Sequence, residues 1–421
     1  MSTPAAAAVY EATCTAPVNI AVVKYWGKRN TSLILPTNSS LSVTLDQDHL
    51  RSLTSARAIH KEGAGGKDRL WLNGEEEEIQ EGGRTARCLS EMRQLRKQVE
   101  SANPSLPPLT HLPLHIASEN NFPTAAGLAS SASGLSALIA TLSTLYDLPA
   151  NGVSTSTLSR IARQGSGSAC RSMFGGYVAW EQGQEEDGSD SVAVQVADAD
   201  HWPDLHALIL VVSDKKKGTP STAGMQRTVA TSALLQHRIK HVVPARMERI
   251  SSAIRARDFD AFAKETMADS NQFHAVCLDT APPIFYMNDV SRAIIQVVEE
   301  LNRASVAAGQ GFKAAYTYDA GPNAVLYVQE KDVALVLGAA LRFFPQTAES
   351  FPDPFATGVS PDGAPQSPVE GFNDKVAVVH EVGAVARVIH TKVGGGPRVL
   401  DSEKEGLLGP DGMPKRVVKR V

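Results

Sequence analysis

Apolar positions along this chain keep two rhythms and switch between them often. Over 18–24 (VNIAVVK) and 41–46 the β-branched content predicts strands. Over 84–100, Cys88, Leu89, Met92, Leu95 and Val99 recur at helical spacing, and Asn103-Pro-Ser-Leu-Pro-Pro ends that helix. A strand is expected at 113–117. A loop of small residues, 121–131, then feeds a helix reaching Tyr146. That helix is apolar almost all round, so it is expected to be central and buried.

Acidic 183–190 reads as a turn, and 207–212 (ALILVV) as a buried strand. Residues 222–239, 244–256 and 259–268 read as helices. In 288–302, Val290, Ile294, Val297, Val298 and Leu301 share one helical face. Strands at 313–318 and 324–328 flank a Gly-Pro turn, with a helix at 332–343 after them. Residues 349–374 carry five prolines and three glycines and are expected to form a surface insertion. A late strand at 385–390 precedes Val393-Gly-Gly-Gly-Pro. The alternation includes hairpins, so the expected class is α+β rather than a doubly wound parallel sheet.

Composition narrows the class without naming a function. The chain has 421 residues, with 41 Lys+Arg against 45 Asp+Glu, a formal net charge of −4. No cationic field calls for nucleic acid or an anionic membrane. Hydrophobic residues are 43% and the 32 glycines are near the average share, which excludes collagen, disorder, coiled coil and a disulfide scaffold. Cys14, Cys88, Cys170 and Cys277 are scattered and are expected to be reduced, buried thiols. The start has no basic n-region, and no apolar run reaches the ~18 residues that span a bilayer. The expectation is a soluble, cytoplasmic protein with no membrane and no nucleic-acid partner.

Four segments carry candidate chemistry. Phe122-Pro-Thr-Ala-Ala-Gly-Leu-Ala-Ser-Ser-Ala-Ser-Gly134 puts small residues and the hydroxyls of Ser130, Ser131 and Ser133 at the start of a helix. Helix N-terminal amides favour phosphate; the segment is not a Walker A loop, and a plain serine N-cap is the alternative. Gly165-Ser-Gly-Ser-Ala-Cys-Arg171 offers amides, hydroxyls and a guanidinium fork for carboxylate or phosphate; the alternative is a flexible loop. Asn19-Ile-Ala-Val-Val-Lys-Tyr-Trp-Gly-Lys28 runs a strand into two lysines suited to a polyanion, or simply solvated. In Tyr316-Thr-Tyr-Asp-Ala-Gly-Pro-Asn323, Asp319 is either a turn-forming residue or a general base. Glu75–Glu78 and Lys215–Lys217 read as solvated runs.

Taken together, these segments resemble the diphosphomevalonate decarboxylases, a family of the GHMP kinase superfamily, in a fungal style. The resemblance spans nearly the whole chain through VNIAVVKYWGKR, LPTNSSLSVTL, WLNGE, NFPTAAGLASSASG, RIARQGSGSACRSMFGGYVAWE, STAGMQRTV, DSNQFHAVCLDTAPPI, YTYDAGPNAVL and LLGPDG. It implies the GHMP kinase fold: a ribosomal-protein-S5-domain-2-like lobe over 1–205 with phosphate loop 122–134, and a ferredoxin-like lobe over 206–421, with the site in the cleft between them. It implies conversion of ATP and (R)-5-diphosphomevalonate to isopentenyl diphosphate, ADP, phosphate and CO2, with Mg²⁺, by a homodimer. Asp319, Arg171 and Lys24 match the catalytic positions. Tyr25, Trp26, Gly27, Lys28, Arg84, Ser166, Gly167, Ser168, Ala169, Cys170, Arg171 and Thr222 match substrate-binding positions. Asn19, Ala126, Gly127, Leu128, Ser130 and Ser131 match nucleotide-binding positions. No metal ligand is identified; the ion is expected on ATP phosphates, a serine and water. The alternative inside the superfamily is a mevalonate or phosphomevalonate kinase, against which Asp319 in its YDAGPN turn argues. Outside it stand a non-catalytic binding module and a nucleic-acid binder, the latter disfavoured by the net charge.

Overall fold

The computed structural model describes residues 9–59, 66–122, 130–213, 218–363 and 368–417. The first sheet has six strands in the order Arg398–Leu400, Tyr10–Pro17, Arg51–Ala58, Leu114–Asn120, Arg69–Leu72 and Glu75–Glu77. Its neighbours are antiparallel except Arg69–Leu72 beside Leu114–Asn120. The helices Arg84–Ala102, Ser130–Leu145 and Thr155–Gly165 share a hydrophobic core with it.

Of these strands hydrophobic patterning finds only Leu114–Asn120; in Tyr10–Pro17 and Arg51–Ala58 the buried positions mix hydroxyls with alanine and cysteine. Thr13 meets Ser55 at 2.8 Å, Thr54 meets Ser118 at 2.9 Å, and Ser52 meets Ser133 of the central helix at 2.7 Å. Small hydroxyl residues let Ser130–Leu145 lie close to the sheet while satisfying one another.

The second sheet runs Ala193–Ala197, Tyr177–Trp180, Ser40–Thr44, Asn19–Val23. The third runs Ala315–Tyr318, Ala324–Gln329, Leu205–Val211, Arg387–Lys392 and is antiparallel throughout. In chain order this third sheet is a ferredoxin-like split βαββαβ unit, its first strand lying between the third and the fourth. The expected α+β class is observed. One hydrophobic cluster joins the second and third sheets. Tyr327 Oη donates to Ile20 O at 3.0 Å across the seam. The helix Phe259–Leu278 packs against both Asn19–Val23 and Ala315–Tyr318. The strand Arg398–Leu400 returns to the first sheet, so the end of the chain rests on the lobe where it began.

Three segments differ from the periodicity. The helix expected at 222–239 is broken: Ser221–Thr231 ends, Ser232 caps a new start by accepting from Leu235 N–H, and Ala233–His237 enters a π-helical turn at Arg238–Val242. That wider turn carries Arg238 into the interior, where it is fully buried. The helix expected to stop at 268 runs on to Leu278. Its second half buries Asp269, Ser270 and His274, polar residues that an apolar count reads as surface. The insertion 349–374 is not simply superficial, since Phe351, Val369 and Phe372 join the large core. Among the described residues no helix is long and apolar enough to cross a membrane. All four cysteines are free and buried.

Candidate active site

Lys24 follows the strand Asn19–Val23, whose register with Ser40–Thr44 shifts between Ala21 and Val23. Side chains take over its backbone groups. Asp269 Oδ2 accepts from the Lys24 N–H at 2.7 Å, while Asn38 Nδ2 and Arg238 Nη2 donate to its carbonyl at 3.0 and 3.1 Å. The Lys24 side chain is 3% exposed and donates to Asp319 Oδ1 at 2.6 Å. Asp319 ends the strand Ala315–Tyr318 and is 27% exposed, so its carboxylate is held by one cation and still meets a cavity.

Arg171 lies in the short helix Ala169–Ser172 and is buried. Its Nε donates to Asn19 Oδ1 at 3.2 Å and Ser42 Oγ at 2.9 Å, and its Nη1 to Ser40 Oγ at 2.6 Å. Asn19 is fixed in turn by donating to Ser172 Oγ at 2.6 Å. Burial pulls the Arg171 pKa down, yet a guanidinium stays charged. Lys28 is partly buried; desolvation, then the charge of Arg84, lowers its pKa.

The cavity has a volume of about 170 Å³. Asn19, Lys24, Tyr25, Trp26, Lys28, Arg84, Ser131, Ser166, Gly167, Ser168, Arg171, Thr222 and Asp319 line it. Among the described residues four cations face one carboxylate there, an arrangement suited to a polyanion. Ser131 Oγ lies 3.2 Å from Ser166 Oγ and ties the central helix to the glycine-serine turn. Gly27, Ala169, Cys170 and Ser130 are not in the lining, and Ser130 opens the helix beside Ser131. Ala126, Gly127 and Leu128 lie outside the described residues, as do Lys215–Lys217.

Two glycines shape the wall. Gly27 has φ +99, and a Cβ there would stand 2.7 Å from Thr37 Oγ1. A Cβ on Gly167 would come within 2.9 Å of the Tyr25 ring and 2.8 Å of the Trp180 ring. Its absence lets Tyr25 pack edge-on against Trp180, with ring centroids 4.7 Å apart. The Tyr25 hydroxyl is buried and has no hydrogen-bond partner among the described residues. Burial pushes its pKa well up, so the phenol is neutral, and Tyr25 forms part of the cavity lining.

Sequence reasoning missed Ser221, Met225, Ile34 and Phe273 in the lining and Asp269, Arg238 and His274 behind it. Ser221 adjoins Thr222 at a helix start after Pro220, a signal available in the sequence. The buried ionic residues had no such signal. Burial, then the positive charge of Lys24, pulls His274 down to about 4. The unfolded chain, with a histidine pKa of about 6.5, therefore binds more protons between those values, and stability falls as pH falls through them. Urea unfolding at pH 7, 5.5 and 4.5 should show this slope, and His274→Gln should remove about one proton's share of it. An unchanged slope in the variant would place the linkage elsewhere.

A ferredoxin-like lobe closing on a mixed lobe, with a cationic cleft at the seam, defines the GHMP-kinase type of two-lobed enzyme. The family domain described as "Diphosphomevalonate decarboxylase-like N-terminal domain" matches residues 16–193, and "Mevalonate 5-diphosphate decarboxylase C-terminal domain" matches 207–400. The diphosphomevalonate decarboxylase of Ganoderma lucidum is 64% identical over 407 residues, covering 97% of this chain and 100% of its own. A crystal structure of mevalonate 5-diphosphate decarboxylase is 51% identical with a TM-score of 0.78, covering 95% of this chain and 99% of its own. A further structure, "MDDEF in complex with MVAPP, AMPPCP and Magnesium", is 29% identical with a TM-score of 0.65, covering 94% of this chain and 100% of its own. The chain belongs to the diphosphomevalonate decarboxylase family, whose reaction is the ATP-dependent decarboxylation step of the mevalonate pathway. The kinase alternative falls with these matches.

Proposed function

We propose that this cleft holds diphosphomevalonate and ATP side by side, with Asp319 at the C3 hydroxyl. The observation that carries the reading is the 2.6 Å Lys24–Asp319 contact, one carboxylate among four cations at the lobe seam. Lys28, Arg84 and the Ser166–Arg171 turn suit the diphosphate, and the partnerless Tyr25 hydroxyl is a donor for it. Arg171, its plane fixed by Asn19, Ser40 and Ser42, suits the substrate carboxylate.

Asp319 takes or orients the proton of the tertiary hydroxyl as its oxygen attacks the γ-phosphorus, and ADP leaves. The C3–O bond then breaks with the departing phosphate. The electrons of the C1–C2 bond become the C2–C3 double bond, and CO2 is released. Positive charge grows at C3 in that step, beside the Asp319 carboxylate. Lys24 neutralises charge on the transferring phosphoryl group, since such transfer depends on positioning and charge.

Among the described residues no group of three or more His, Cys, Asp or Glu could hold a metal ion. That suits Mg²⁺, which keeps waters and binds through substrate phosphates. Ser131 would hold it together with ATP, and the bound ion would supply further charge neutralisation. The MVAPP–AMPPCP–magnesium complex of the 29% identical relative supports this pairing of ligands. We place the lobe boundary near residues 205/206, with the tail from 398 returning to the first lobe. The reading includes a homodimer in the cytoplasm; four buried free thiols fit a reducing compartment.

Ser131→Ala tests the nucleotide side. The KM for ATP should rise about tenfold, the value of one charge-assisted hydrogen bond, with the KM for diphosphomevalonate within about twofold. Equal rises in both would refute the assignment of Ser131 to ATP.

A further inference from the structure

Asp269 and Ser270 lie mid-helix in Phe259–Leu278, buried and unused by the mechanism above, with the exposed Asn271 after them. Asp269 is fully buried and pairs with Arg238 at 2.7 Å and Arg246 at 3.0 Å. Arg238 also donates to Gln272 Oε1 at 2.7 Å, and Arg246 to Glu265 Oε2 at 3.1 Å. A buried charge cluster is a poor route to stability, because well-packed apolar residues of similar volume do as well or better. What it supplies here is direction, since two of its members reach the backbone on either side of one residue. Asp269 holds the Lys24 N–H, and Arg238 holds the Lys24 carbonyl.

The next residue does the same for the other partner. Ser270 Oγ, 1% exposed, accepts from the Tyr318 N–H at 3.0 Å. Tyr318 is the last residue of the edge strand Ala315–Tyr318, and Asp319 follows it. Asn271 Nδ2 donates to Tyr316 Oη at 2.9 Å on the same strand. Two consecutive residues of one helix therefore hold the backbone at Lys24 and the backbone just before Asp319, though these come from different sheets. Successive helical side chains diverge by about 100°, which is how one helix reaches both strands.

We propose that Asp269 and Ser270 are positioning residues that set the separation of Lys24 and Asp319. The proposal rests on the reading that this pair performs the chemistry. Without the Ser270 hydroxyl the Tyr318 N–H has no partner on the helix, and Asp319 is free to drift from Lys24. Misplacement by about 1 Å can cost on the order of a hundredfold in rate.

The test uses the full-length enzyme with saturating ATP and diphosphomevalonate. Ser270→Ala should lower kcat tenfold or more, with both KM values within about twofold, because binding groups are untouched. Ser270→Thr, which keeps the acceptor oxygen, should recover most of that loss. In the Asp319→Asn background Ser270→Ala should add little, since it acts through Asp319. Asp269→Asn keeps an oxygen for the Lys24 N–H but not the charge, and should lose kcat in the same pattern if it folds. A Ser270→Ala enzyme with a kcat within twofold of wild type, or equal losses in Ala and Thr, would overturn the proposal. A full additional loss in the Asp319→Asn background would also overturn it, by pointing to a general structural role. Asp319→Asn alone separates the two readings: near-normal turnover in that variant sinks the base assignment, whatever Ser270 does.

Discussion

Asp319→Asn is expected to lower kcat by on the order of 10³-fold while changing the KM of either substrate less than about threefold. The asparagine has the same shape and still offers Lys24 Nζ an oxygen at the observed 2.6 Å position. The fold and the Lys24 contact therefore survive. The negative charge is lost, and with it the proton acceptor proposed for the C3 hydroxyl and the group proposed to stand beside the positive charge that grows at C3. Among the described residues Asp319 is also the only carboxylate in the lining, so its removal leaves the four cations there facing two anionic substrates. Binding should hold or tighten. That separation of kcat from KM marks a group acting in the transition state rather than in uniform binding. Turnover near wild type would contradict the role given to Asp319.

Lys24→Met carries the second large effect. Methionine matches the lysine stem in length, so the space held by the buried Lys24 stem stays filled. The charge is removed, and kcat should fall by on the order of 10²-fold as the phosphoryl group loses the cation proposed to neutralise it. Stability should behave differently. Lys24 is buried and costly to keep charged, whereas Asp319 is 27% exposed and can turn to water once released. Melting should therefore shift by only about 1 °C, roughly 1 kcal/mol for a chain of this size. A variant that melts early but turns over normally would make Lys24 a structural residue. Kinetics and calorimetry on the same preparation separate the two outcomes.

The contrast between these residues and their supports explains what the sequence disclosed. The helices Arg84–Ala102 and Asp289–Ala307 announce themselves because their buried faces are apolar at helical spacing. The strands Tyr10–Pro17 and Arg51–Ala58 do not, because threonine and serine hydroxyls alternate with small alanine and cysteine at their buried positions. Within the cleft, Lys24, Lys28, Arg171 and Asp319 sit in short segments whose composition hints at a polyanion. Arg238 lies at the end of one predicted helix and Asp269 just past the end of another, with no local feature that singles out either. Only tertiary packing reveals that each is buried against the other. Groups that meet the ligand leave a local trace, whereas groups that hold them in place are written as long-range pairs. The insertion 349–374 follows the same rule: its proline content was legible, and the burial of Phe351 and Phe372 was not.

The central claim is that one cleft couples phosphoryl transfer to carbon–carbon cleavage through Asp319. Its most direct test is simultaneous measurement of ADP and CO2 released from diphosphomevalonate by the wild-type enzyme and by Asp319→Asn. The expected result is equimolar ADP and CO2 from the wild type, with both falling together in the variant. ADP release without CO2, with a stable phosphorylated product, would contradict it.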